Sequence, residues 1–113
     1  MKIQYLEIVS TEADALCEQY ASANAMKFSE PVATLGNART AELNGGLLGI
    51  RKPMHAQEKN VVRPYLLVDD IKASVEAAEK AGGKVAVPPM ELPGHGTCAI
   101  VIQGGIECGF WQL

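Results

Sequence analysis

The chain has 113 residues, of which 48% are hydrophobic and 20% charged, with a net charge of −3. That length suits one domain, or two very small halves sharing a core, and the composition suits a packed interior rather than disorder. Lys and Arg are scattered with no basic stripe, which argues against a nucleic-acid surface, and no apolar run approaches the roughly 18 residues needed to cross a bilayer.

Ile3 to Val9 is rich in β-branched and aromatic residues and predicts a strand. Ser10-Thr11 follows as a helix N-cap, and Thr11 with Asp14 resembles a capping box. Ala13, Leu16, Cys17 and Tyr20 then fall on one helical stripe. Three strands are expected next: Val32–Leu35, Arg39–Leu43 up to the turn Asn44-Gly45-Gly46, and Leu47–Arg51. The polar segment from Lys52 to Asn60, with Pro53, reads as a linker.

The order then repeats. Val61–Val68 predicts a strand, and Asp69 or Asp70 a cap. Ile71, Val75, Ala78 and Ala81 form the inward stripe of a helix that stops at Gly82-Gly83. Lys84–Val87 is a short strand before Pro88-Pro89. Thr97–Ile102 and Ile106–Leu113 are strands parted by Gln103-Gly104-Gly105. The halves match best at their ends. Gly45-Gly46-Leu47-Leu48-Gly49-Ile50 and Gly104-Gly105-Ile106-Glu107-Cys108-Gly109-Phe110 are both Gly-Gly turns into a strand with an interior glycine.

The N-terminus carries a charge within its apolar pattern and lacks the long apolar stretch of a secretory signal. Cys17, Cys98 and Cys108 are odd in number without C-x-x-C spacing. Neither a disulfide framework nor a zinc knuckle is expected, and a reducing cytoplasm is the default setting for three buried thiols.

A doubled β-α-β-β-β unit of this kind resembles the vicinal oxygen chelate superfamily, the glyoxalase/bleomycin resistance protein/dioxygenase group. The resemblance spans essentially the whole chain and is most specific from Tyr65-Leu66-Leu67-Val68-Asp69-Asp70-Ile71 through Ala81-Gly82-Gly83-Lys84-Val85, then at Gly96-Thr97-Cys98-Ala99 and from Gly105 to Gln112. It implies a single α+β domain over residues 1–113. Repeat unit one covers about 1–52, the linker about 53–60 and repeat unit two about 61–113. Mixed curved sheets would enclose a cavity, with helices on the outer face. It also implies a homodimer.

In metal-dependent members of that superfamily, His, Gln or Glu side chains from the first and last strands of each unit hold the ion. The matching places here are Tyr5 and Arg63, and Gly49 and Gly109. Glycine has no donor side chain and a guanidinium repels a cation, so no resident metal or other cofactor is expected. Period-2 alternation brings Glu7 and Glu107 to the same faces, but Arg51 and Arg63 as well, and Arg–carboxylate pairing neutralises such a set more readily than an ion does. The two glycines should leave space, walled by Tyr5, Tyr65 and Trp111, with Phe110 outward unless a bulge reverses the pair.

The candidate ligand-binding set is therefore Tyr5, Glu7, Gly49, Arg63, Tyr65, Glu107, Gly109 and Trp111. Arg63 would anchor an anion or carboxylate, or else pair with Glu7. The partner expected is a small organic molecule, with no nucleic acid and no membrane. Two alternatives stand beside this: a metal-dependent lyase or dioxygenase of the glyoxalase type, and a non-catalytic structural module with a filled cavity. His95, in a Pro/Gly loop, is either an exposed loop residue or a general base at a pocket mouth.

Overall fold

The computed structural model describes residues 1–113. Its elements run β1 (Ile3–Val9), α1 (Ala13–Asn24), β2 (Arg39–Leu43), β3 (Gly46–Arg51), β4 (Val61–Leu67), α2 (Ile71–Lys80), β5 (Lys84–Leu92), β6 (Gly96–Gln103) and β7 (Ile106–Gln112). The fold is α+β with both parallel and antiparallel strand pairing. The residues sort into two compact units, Tyr5–Val62 and Arg63–Leu113 with Met1–Gln4. No helix is long and apolar enough to cross a membrane.

In the unit Tyr5–Val62, β1 pairs in parallel with β3, Glu7 lying opposite Gly49, and β2 pairs antiparallel with β3. A parallel pair needs a long crossover, and α1 supplies it. Asn44 (φ 34°) and Gly45 (φ 92°) are two successive left-handed residues, the geometry that matches strand twist in a two-residue hairpin. Alternation sends Ile8, Leu48 and Ile50 toward Ala13 and Cys17 of α1, with Leu6, Leu16, Tyr20, Met26 and Phe28 around them. The opposite face is left with Tyr5, Glu7, Gly49 and Arg51, all buried.

Two expectations fail in this unit. Val32–Leu35 is not a strand: Ala33–Leu35 forms one 3-10 turn, and Val32 keeps a single bridge to Ala38. Gly36 and Asn37 are both left-handed and reverse the chain at once, so buried Leu35 serves packing rather than a ladder. The capping box is also absent. The helix begins after Glu12 with no side-chain cap. Ser10 Oγ instead accepts the Glu12 N–H at 3.0 Å, and the Thr11 N–H donates to Asn60 Oδ1 at 3.1 Å.

In the second unit, β4 pairs in parallel with β7, Tyr65 opposite Gly109, and β7, β6 and β5 continue antiparallel. Gly104 and Gly105 repeat the left-handed pair of the first hairpin. The Leu67 N–H donates to the Lys2 carbonyl at 2.8 Å, which ties Met1–Gln4 to this unit. Asp70 caps α2 by accepting the Ala73 N–H at 3.1 Å. At the other end the Gly82 N–H reaches the Glu79 carbonyl and the Gly83 N–H the Ala78 carbonyl, a paired closure that requires the left-handed Gly82. Ile71, Val75 and Ala78 pack on Ala99, Val101 and Phe110. Ala81, expected on that stripe, is exposed because the helix ends at Lys80. β5 runs through Pro88-Pro89 rather than stopping before them. It pairs with β6 alone, so it tolerates the missing N–H groups, at the expense of register shifts beside Val87.

Candidate functional site

The chain has three buried charged residues: Glu7, Arg51 and Arg63. All three lie on the strand faces turned away from α1 and α2. Charges are removed from water only where partners offset the desolvation, so these faces identify themselves as the places where polar chemistry is held.

On the face of Tyr5–Val62, Arg51 is the centre. Its Nε donates to Glu7 Oε2 at 2.8 Å, while Nη1 and Nη2 donate to Glu58 Oε1 and Oε2 at 2.8 and 2.7 Å. This fork holds the Glu58 carboxyl down at about 2. The Arg51 pKa is raised chiefly by the same bond. Burial, and then the Glu7 charge, push the Tyr5 phenol above its ordinary range. Sequence reasoning missed Glu58. It lies in the polar segment, where nothing local sets it apart from its neighbours.

The face of Arg63–Leu113 brings together the other five candidates. Arg63 donates through Nη2 and Nε to Glu107 Oε1 at 2.6 and 3.1 Å. Tyr65 and Trp111 meet edge to face, centroids 5.6 Å apart at 89°. The Trp111 Nε1–H donates to the His95 carbonyl at 3.0 Å. His95 thus contributes its main chain, and the residue is half-buried rather than exposed. Phe110 points to the helix and Trp111 away from it, so no bulge intervenes at Gly109.

The expected space over the two glycines is not there. A Cβ at Gly49 would collide with the Tyr5 phenol, and one at Gly109 with the Tyr65 ring. Each glycine therefore receives an aromatic ring from the adjoining strand instead of leaving a void. The correction is one of reach: a tyrosine on a neighbouring parallel strand extends across the pleat and settles on whatever position lacks a side chain.

The set does not fit a resident metal. The four places that the resemblance marks out for ligands hold Tyr5, Gly49, Arg63 and Gly109, and the nearby carboxylates Glu7 and Glu107 are engaged by guanidinium groups. Nowhere in the chain do three His, Cys, Asp or Glu side chains gather in a way that could hold an ion. The thiols are scattered. Cys17 and Cys98 are buried and Cys108 half-buried, with burial pushing Cys17 and Cys108 upward.

Among solved structures the backbone is similar to methylmalonyl-CoA epimerase from Mycobacterium tuberculosis (TM-score 0.72, 12% identity, 97% of this chain and 86% of that one). It is also similar to a glyoxalase/bleomycin resistance protein/dioxygenase superfamily member from Vibrio splendidus 12B01 (TM-score 0.69, 10% identity, 96% and 97%). This chain has the vicinal oxygen chelate fold. The Mn(II)-bound glyoxalase from Novosphingobium aromaticivorans is similar as well, at TM-score 0.72 and 21% identity over 98% of this chain but 38% of that one. No protein-family model matches the sequence, and no curated protein matches it. At these identities the likeness is one of fold.

Proposed function

We propose that this vicinal oxygen chelate protein is a metal-free binder of a small organic molecule, akin to the bleomycin-resistance type, acting as a homodimer in the cytoplasm. One observation carries the reading. The fold's ion-holding places are occupied by Tyr5, Gly49, Arg63 and Gly109, while the chain keeps buried charges and an aromatic pair on the same faces. A merely structural sheet face would favour apolar residues there, since buried ion pairs rarely stabilise more than well-packed hydrophobic ones. Tyr65 and Trp111 form a buried edge-to-face pair on the same face, and Arg63 offers a charge whose partner Glu107 is 41% exposed and free to be displaced by an acid. The ligand is an aromatic or amphipathic compound bearing a carboxylate or similar anion.

The test is a thermal-shift screen of the wild-type protein against aromatic and aliphatic acids, with and without EDTA. A ligand bound only by the folded state must raise the melting temperature. A saturable rise that EDTA leaves intact supports the reading. A rise that requires Mn²⁺, as for a metal-dependent lyase or dioxygenase, overturns it. No response to any compound favours the second reading, a structural module whose faces are filled by the rings over Gly49 and Gly109.

A further inference from the structure

Glu58 is the second carboxylate on Arg51. Glu7 already engages Nε, yet a further acid, from a segment with neither helix nor strand, takes both Nη atoms. The Met54 N–H also donates to Glu58 Oε1 at 2.7 Å, so three donors converge on this one group. The guanidinium does not depend on Glu58 for its aim. Glu7 fixes Nε, and the Lys52 carbonyl accepts from Nη1 at 3.2 Å. The carboxylate therefore sits in a guanidinium fork that would stay aimed without it. Planar two-point recognition plus a main-chain donor is the chemistry by which proteins select carboxylic acids.

We propose that the Arg51 fork and the Met54 N–H form a carboxylate-binding site, which Glu58 fills as an internal stand-in until a ligand's acid replaces it. The side chain of Glu58 is 16% exposed and that of Arg51 5%. The acid that leaves is thus the group nearer to water, and the fork that remains is shielded. This deepens the small-molecule reading and rests on it: it narrows the ligand's anion to a carboxylic acid and adds Arg51 to Arg63 as an anchor for one. An internal competitor acts at an effective concentration on the order of millimolar, so a ligand prevails through added contacts rather than through its acid alone.

The experiment titrates Glu58→Ala with sodium acetate and sodium benzoate, against sodium chloride at equal ionic strength, and follows the melting temperature. A saturable rise of about 5 °C at tenfold excess over the dissociation constant is expected for either acid, with a smaller response in the wild type. The rise should vanish in Glu58→Ala combined with Arg51→Lys, which keeps the charge beside Glu7 but loses the fork. No rise beyond chloride, an undiminished rise with Arg51→Lys, or a wild-type response as large as the variant's would overturn the proposal. Glu58→Gln serves the same titration should the alanine variant not fold. If the wild type binds no screened compound but Glu58→Ala responds to acetate, the proposed function fails and the carboxylate site stands.

Discussion

The ring of Tyr65 lies over Gly109, its partner across the parallel β4–β7 ladder, in the space where a side chain would begin. Tyr5 does the same to Gly49 with the tip of its phenol. Gly109→Ala forces the ring near its root, whereas Gly49→Ala meets its far end. We expect Gly109→Ala to cost about 1–3 kcal/mol by overpacking, and Gly49→Ala to cost less. Urea unfolding of the two variants gives the order directly.

Arg51 stands between Glu7 and Glu58, and Glu7 has nowhere to hydrate. Arg51→Met takes the guanidinium away from two carboxylates at once, one of them buried, a loss of about 3 kcal/mol. Glu107→Gln removes an acid that is 41% exposed and keeps an amide oxygen to accept from the buried Arg63, so it should cost less than Arg51→Met. Equal losses in denaturant titrations would contradict this order.

Because the Glu58 carboxyl titrates at about 2 when folded and at the ordinary 4.5 when unfolded, its contribution is complete above pH 5. It is lost as pH falls toward 2, where the unfolded chain binds the proton more readily. The wild type should therefore lose stability over this window more steeply than Glu58→Gln, with the two curves converging at the acid end. Urea midpoints measured from pH 5 to pH 2 check this, and parallel curves would refute it.

Asp70 accepts the Ala73 N–H at the start of α2. Thr11 makes no such bond to α1. Asp70→Ala should lower stability by about 1 kcal/mol, and replacing the Thr11 side chain with alanine should change it by little. Chemical denaturation of the pair separates a working cap from a residue of the right type in the wrong place.

That contrast shows how far the residues alone reached. The strand-helix order and the repeated Gly-Gly hairpins were legible, because period-2 and period-3.6 patterns and left-handed turn residues act locally. Phe110 and Trp111 followed from alternation for the same reason. The Val32–Leu35 stretch misled, since its β-branched start is decided by Gly36-Asn37 turning the chain back immediately. Within the site, Glu7, Arg51 and Arg63 could be put on the correct faces. The partner from the linker, Glu58, could not be found, because an irregular segment's path carries no periodic signal. The rings over Gly49 and Gly109 escaped for a related reason: the side-chain reach of a tyrosine is a tertiary matter, and the glycines advertise only that something comes close.

The paired prolines of β5 bear on how this protein behaves at high concentration. Pro88 and Pro89 sit mid-strand in a nine-residue rim that pairs only with β6. Successive N–H groups of a strand point to opposite edges, so one of the two prolines removes a donor from the open side and the other from the side of β6, beside a ladder already out of step at Val87. A copy of the chain adding itself along that border would find a donor missing near the midpoint, which disfavours the zipper-like stacking that seeds fibrils.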